Sequence, residues 1–135
     1  MVVNDEYFIV VCLNEILKEE GYVIQTSYNG QQALNKVQDH LNSLLEYHHP
    51  NSIQSGERPK HFSLIILDQN MPIMQGIEAC KEILDAYERY YDEIQDMIDF
   101  NEEDLNESTL LLKIEWMNRY RPAMVLCSSL ISSQI

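Results

Sequence analysis

The sequence predicts an α/β fold with a mainly parallel sheet. Three observations carry this. Strand-like and helix-like segments alternate along the chain in the order β-α-β-α-β-α-β, the pattern of a parallel sheet covered by helices. Residues 62–67 (FSLIIL) are nearly all apolar, as a central strand buried on both faces requires. Three strand candidates end on polar side chains, at Asn4-Asp5-Glu6, at Asp68 and at Ser128. In open parallel sheets, functional groups gather beyond the carboxyl ends of the strands.

Each element has a local signal. Residues 1–3 form a short apolar run that reads as a buried strand. Residues 7–20 read as a helix, with Ile9, Leu13, Ile16 and Leu17 at helical spacing and Gly21 as its stop. Residues 22–27 are β-branched and aromatic enough for a second strand, and Asn29-Gly30 is a turn signal. From about Gln31 an apolar stripe of Ala33, Leu34, Val37, Leu41, Leu44 and Leu45 predicts a helix, which ends near His48-His49-Pro50 because proline stops the pattern. Residues 50–61 hold two prolines and a glycine and read as a long loop. Residues 77–99 predict one helix or two. Ile77, Ala79, Cys80 and Ile83 face inward first, and Tyr87, Tyr90, Tyr91, Ile94, Met97 and Ile98 continue that side. Residues 99–108 are acidic and turn-like, a further helix is expected over 109–118, and Pro122 precedes a fourth strand over 123–127.

The 135 residues suit a single domain. Asp plus Glu number 22 against 9 Lys plus Arg, for a formal charge of −13. That balance disfavours nucleic acid and anionic membrane as partners. Cys12, Cys80 and Cys127 have no CxxC spacing, so reduced thiols in the cytoplasm are expected. No apolar run reaches the roughly 20 residues that cross a bilayer, and acidic residues by position six argue against a signal peptide.

If the first and third strands are neighbours, Asp5 and Asp68 come close together. Two such carboxylates repel unless a cation neutralises them, and Mg²⁺ does so with oxygen ligands. Asp68 would then remain an ionised carboxylate able to attack phosphorus. Plainer readings stand beside this one. Asp68 also fits a strand-end turn residue, Asp5 and Glu6 fit helix caps, and Ser128 fits a turn. His48, His49 and His61 show no metal spacing and read as surface histidines.

These segments resemble the receiver domain of two-component response regulators and hybrid histidine kinases. The resemblance rests on residues 1–6 (MVVNDE), on Gly21-Tyr22 with residues 29–34 (NGQQAL), and above all on residues 64–76 (LIILDQNMPIMQG). Family members show an aspartate, Met-Pro three and four residues on, and a glycine at eight; Asp68, Met71, Pro72 and Gly76 match. Residues 122–129 match more weakly. The resemblance implies a three-layer αβα, flavodoxin-like, doubly wound parallel sheet, incomplete at the C-terminus, in one receiver-like domain with insertions at about 50–61 and 87–121. It implies that Asp68 accepts a phosphoryl group with Mg²⁺ bound, the donor being a histidine kinase or histidine phosphotransfer domain. Asp5 and the backbone carbonyl of Asn70 would join Asp68 on the metal. Asn4 stands where the family usually has a second acid, so Glu6 or a water on Asn4 would compensate. Ser128 would hydrogen-bond the phosphoryl group; Cys127 is the alternative alignment, expected to face the core. The family's fifth strand, with a lysine beyond it, has no counterpart in the sequence. The alternative function is a receiver-like interaction module that is not phosphorylated. Residues 87–121 are expected to be either a docking surface or a solvent-facing insertion whose aromatics cover the domain.

Overall fold

The computed structural model describes residues 1–49, 56–100, 103 and 106–128. Its elements run β1 (Val2–Val3), α1 (Tyr7–Glu19), β2 (Thr26–Ser27), α2 (Gly30–His48), β3 (Leu64–Asp68), α3 (Gly76–Phe100), α4 (Glu107–Asn118) and β4 (Ala123–Cys127). The four strands form one parallel sheet in the order β2-β1-β3-β4. On one side α2, α3 and α4 pack against each other; α1 packs on β1. This is the flavodoxin-like arrangement the sequence predicts, with four strands among the described residues. The expected loop at 50–61 and the acidic turn at 99–108 lie partly outside them, as does Ser129.

The second strand is shorter than expected. In the register Val2↔Thr26, residues 22–24 lie past the end of β1 and have no ladder to join. Val23 is 98% exposed accordingly. The Asn29-Gly30 pair starts a helix directly: the Asn29 side chain caps α2 by accepting from the Gln32 N–H at 2.9 Å. The sequence left residues 77–99 as one helix or two; they form a single helix, because no proline or glycine interrupts the apolar spacing after Gly76.

The core lies between the sheet and the α2–α3–α4 layer. Tyr87, Tyr90, Leu44, Ile65, Leu67 and Ile83 are among its largest fully buried side chains. The tyrosines on α3 are therefore structural, on the apolar side that their spacing predicts. Ile77, expected inward, is exposed at the first turn of α3. The α1 side is less covered than its sequence predicts: Ile9 and Ile16 are exposed and only Val10 is buried. Among the described residues α1 meets the sheet chiefly along β1, so one turn-face suffices for that contact.

Candidate functional site

The adjacency of β1, β3 and β4 brings three strand ends to one edge of the sheet. Val3 pairs with Leu67, so the next residues, Asn4 and Asp68, stand opposite each other. Asp68 also pairs with Cys127. Asp5 and Ser128 lie one residue further along the same two outer strands. Asp68 is half-buried, whereas Asp5, Glu6, Asn70 and Ser128 are exposed. Cys127 is exposed rather than facing the core, because the ladder puts it at the sheet edge beside Asp68.

Asn4 is buried, and its side-chain oxygen accepts from the Glu6 N–H at 2.9 Å. This Asx-type bond turns the chain from β1 into α1. Glu6 occupies the N-cap position of α1 without capping it through its side chain, so its carboxylate stays free of that duty.

The loop after Asp68 is held by backbone bonds. The Gln69 N–H donates to the Cys127 carbonyl at 2.8 Å, and the Gly76 N–H donates to the Gln69 carbonyl at 3.0 Å. The Gln69 side-chain oxygen accepts from the Ile77 N–H at 2.9 Å and satisfies one of the orphan donors at the start of α3. Met71 is buried and anchors the loop, while Ile73 takes a left-handed φ of 71°. Gly76 is required by close approach. A Cβ there would lie 2.3 Å from the Asp68 carbonyl oxygen and 2.9 Å from the Gln69 Cα. Both are backbone atoms and cannot swing aside. Gly76→Ala is thus expected to lower stability by about 1–3 kcal/mol through overpacking, read as a lower urea midpoint; an unchanged midpoint would show that the loop yields freely.

The groups that the sequence singles out at this edge are oxygen donors: the Asp5 and Asp68 carboxylates and the Asn70 carbonyl. Such a set fits a hard cation that keeps several waters. Among the described residues, no group of three or more His, Cys, Asp or Glu side chains is arranged to hold a metal ion.

A second polar cluster lies at the opposite edge, before β3 and β4, and sequence reasoning missed it. Glu115 on α4 is 5% exposed. Its carboxylate pairs with Arg58, meets the His61 Nε2 at 2.6 Å and accepts from the Tyr90 hydroxyl at 3.0 Å. His61 stacks on Tyr120 with ring centroids 4.9 Å apart. Burial works against the Glu115 charge, yet the His61 hydrogen bond and the Arg58 charge prevail and bring its pKa down to about 2. His48 is buried and His61 nearly so, which corrects their reading as surface histidines; His49 is exposed. Burial also lowers the pKa of His40 and His48. The available signal was α4 itself: it is apolar almost all round, and a carboxylate in such a helix needs a buried partner.

No family model matches the chain. Over 83 residues it is 34% identical to sporulation initiation phosphotransferase F of Bacillus subtilis, covering 62% of this chain and 51% of that protein. It is 32% identical to the alkaline phosphatase synthesis transcriptional regulatory protein PhoP of Bacillus subtilis, covering 26% of it. It is 29% identical to response regulator ArlR of Staphylococcus aureus, covering 29%. The chain thus spans about half the length of the first of these relatives and less of the others. Among the described residues no helix is long and apolar enough to cross a membrane. The shared segment and the parallel sheet that carries it together make this chain a homologue of response-regulator receiver domains.

Proposed function

We propose that Asp68 accepts a phosphoryl group from a phosphohistidine on a histidine kinase or histidine phosphotransfer domain, in the cytoplasm. The domain is one receiver-like unit with insertions at about 50–61 and 87–121. The observation that supports this is the alignment of Asn4, Asp68 and Cys127 at one carboxyl edge, above a loop that Gly76 lets close onto Asp68. An Asp68 carboxylate oxygen attacks phosphorus, an O–P bond forms, and the N–P bond breaks with its electron pair returning to the imidazole. Asp5, Asp68 and the Asn70 carbonyl would hold Mg²⁺, with Glu6 or a water on Asn4 completing the set. When bound, that ion offsets the charge of the two carboxylates and the phosphoryl oxygens. The Ser128 hydroxyl follows β4 and donates to a phosphoryl oxygen once it arrives.

The test is incubation with Mg²⁺ and acetyl phosphate, followed by intact mass. One labile phosphoryl addition is expected, absent in Asp68→Asn and absent when the metal is chelated. A second reading, an interaction module that is not phosphorylated, draws on Asn4, whose side chain carries no charge and is engaged with Glu6. Absence of any addition to a folded sample would favour it.

A further inference from the structure

α4 presents two apolar faces. Thr109, Leu112 and Glu115 point into the core. On the other side Leu110 is 59% exposed, Ile114 47% and Met117 75%, with Leu111 beside them. Positions 110, 114 and 117 follow one another at i, i+4 and i+7 and form a single stripe. A solvent-facing helix surface is ordinarily polar, and a helix apolar on all sides is ordinarily buried. A contiguous exposed stripe of this kind marks an interaction site.

Its surroundings select the occupant. α3 packs beside α4, and Glu88, Asp92 and Asp99 recur on α3 at spacings that keep them on one stripe. Glu88 pairs with Arg121 just past α4, which places that stripe on the α4 side. Glu88 is neutralised by that pair, so the outward apolar face borders the carboxylates of Asp92 and Asp99, with Glu107 and Lys113 on α4 itself, on a chain whose net charge is −13. A second copy would bring the same charge, and one three-turn stripe offers less area than a stable homodimer needs, typically about 800 Å² per partner. An anionic bilayer would be repelled as well.

We infer that the outer face of α4 docks a basic amphipathic helix of another protein, with Leu110, Ile114 and Met117 as apolar anchors and the α3 carboxylates facing its basic residues. This surface is on the far side of the fold from the chemistry assigned to Asp68 and does not depend on it.

The probe is a fluorescein-labelled Leu/Lys amphipathic peptide of about 18 residues, roughly five helical turns, titrated with the full chain while the anisotropy of the label is followed. Saturable binding is expected. Ile114→Asp should weaken it by about tenfold or more, as loss of a central anchor does, even though it adds a negative charge that would otherwise attract the peptide. Met117→Asp should act the same way, and both variants should keep the wild-type far-ultraviolet circular dichroism, since both sites are exposed. Asp92→Asn with Asp99→Asn should weaken binding mainly at low salt. The inference is overturned by no rise in anisotropy, by equal binding of a scrambled peptide of the same composition, or by binding that Ile114→Asp and Met117→Asp leave unchanged. It is also overturned if the chain sediments as a dimer that Ile114→Asp dissociates, or if the chain co-sediments with anionic vesicles and leaves the peptide unbound.

Discussion

Glu115→Ala is expected to destabilise the fold by about 3–5 kcal/mol, the usual cost of removing one partner from a buried ion pair. The carboxylate is the common acceptor for Arg58, His61 and the Tyr90 hydroxyl. Arg58 is about half-exposed and can turn to water, but His61 and Tyr90 are enclosed. They would be left with desolvated donors, each costing about 1–3 kcal/mol. A domain of this size has roughly 5–15 kcal/mol in total, so the variant should melt about 10 °C or more below the parent. The cluster ties the segment before β3 to α4, and a double-mutant cycle with His61→Ala should show strong coupling. A loss below about 1 kcal/mol would mean that water already reaches the carboxylate.

Acid should unfold the protein in two stages. Below the usual histidine pKa of 6.5, the unfolded chain takes up protons on His40 and His48 that the folded chain resists, because burial holds both pKa values down. Stability therefore begins to fall as pH drops through that value. The side-chain nitrogen Nε2 of each has no hydrogen-bond partner among the described residues, so neither can shed a new charge locally. His40 faces His61 and Phe62, and His48 feels Glu115, Arg58 and His61. The second stage belongs to Glu115. Its folded pKa of about 2 lies below the ordinary 4.5, so its contribution is complete above that ordinary value and lost as pH falls toward the lower one. The difference corresponds to something on the order of 3 kcal/mol. Thermal melts from about pH 7 to about pH 3 should show a shallow decline and then a steep one. Glu115→Gln should remove the steep part and keep the shallow part.

The parts that sequence patterning revealed share a physical reason. The run at 62–67 is apolar because β3 sits in the middle of the sheet, and Asp68 ends it where the strand meets solvent. Gly76 was legible from its spacing to Asp68, and its reason is the backbone approach that a Cβ would block. Val23 shows the limit of the same method: its β-branched character suits a strand, but strand pairing depends on whether a partner extends that far. The apolar character of α4 hints that Glu115 is buried, but its partners were illegible for a related reason. Its partners come from residues 58, 61 and 90, and no local pattern announces a contact across such distances in the chain. The approach of Asp5 to Asp68 was conditional on the first and third strands being neighbours; the β2-β1-β3-β4 sheet supplies that adjacency, and its register puts Asn4 opposite Asp68 with Asp5 one residue further along.

The length of α3 has a mechanical consequence. Its 25 residues make a rod of roughly 37 Å at 1.5 Å per residue, whereas the five residues of β3 span roughly 17 Å. The helix begins at Gly76, tied to the loop that follows Asp68, and continues well beyond the sheet to Phe100. Its Gly76 end is fixed by the bonds of that loop, so a change of tilt there is largest at Phe100. A tilt of about 5° at that end would carry Phe100 through about 3 Å over a rod of this length.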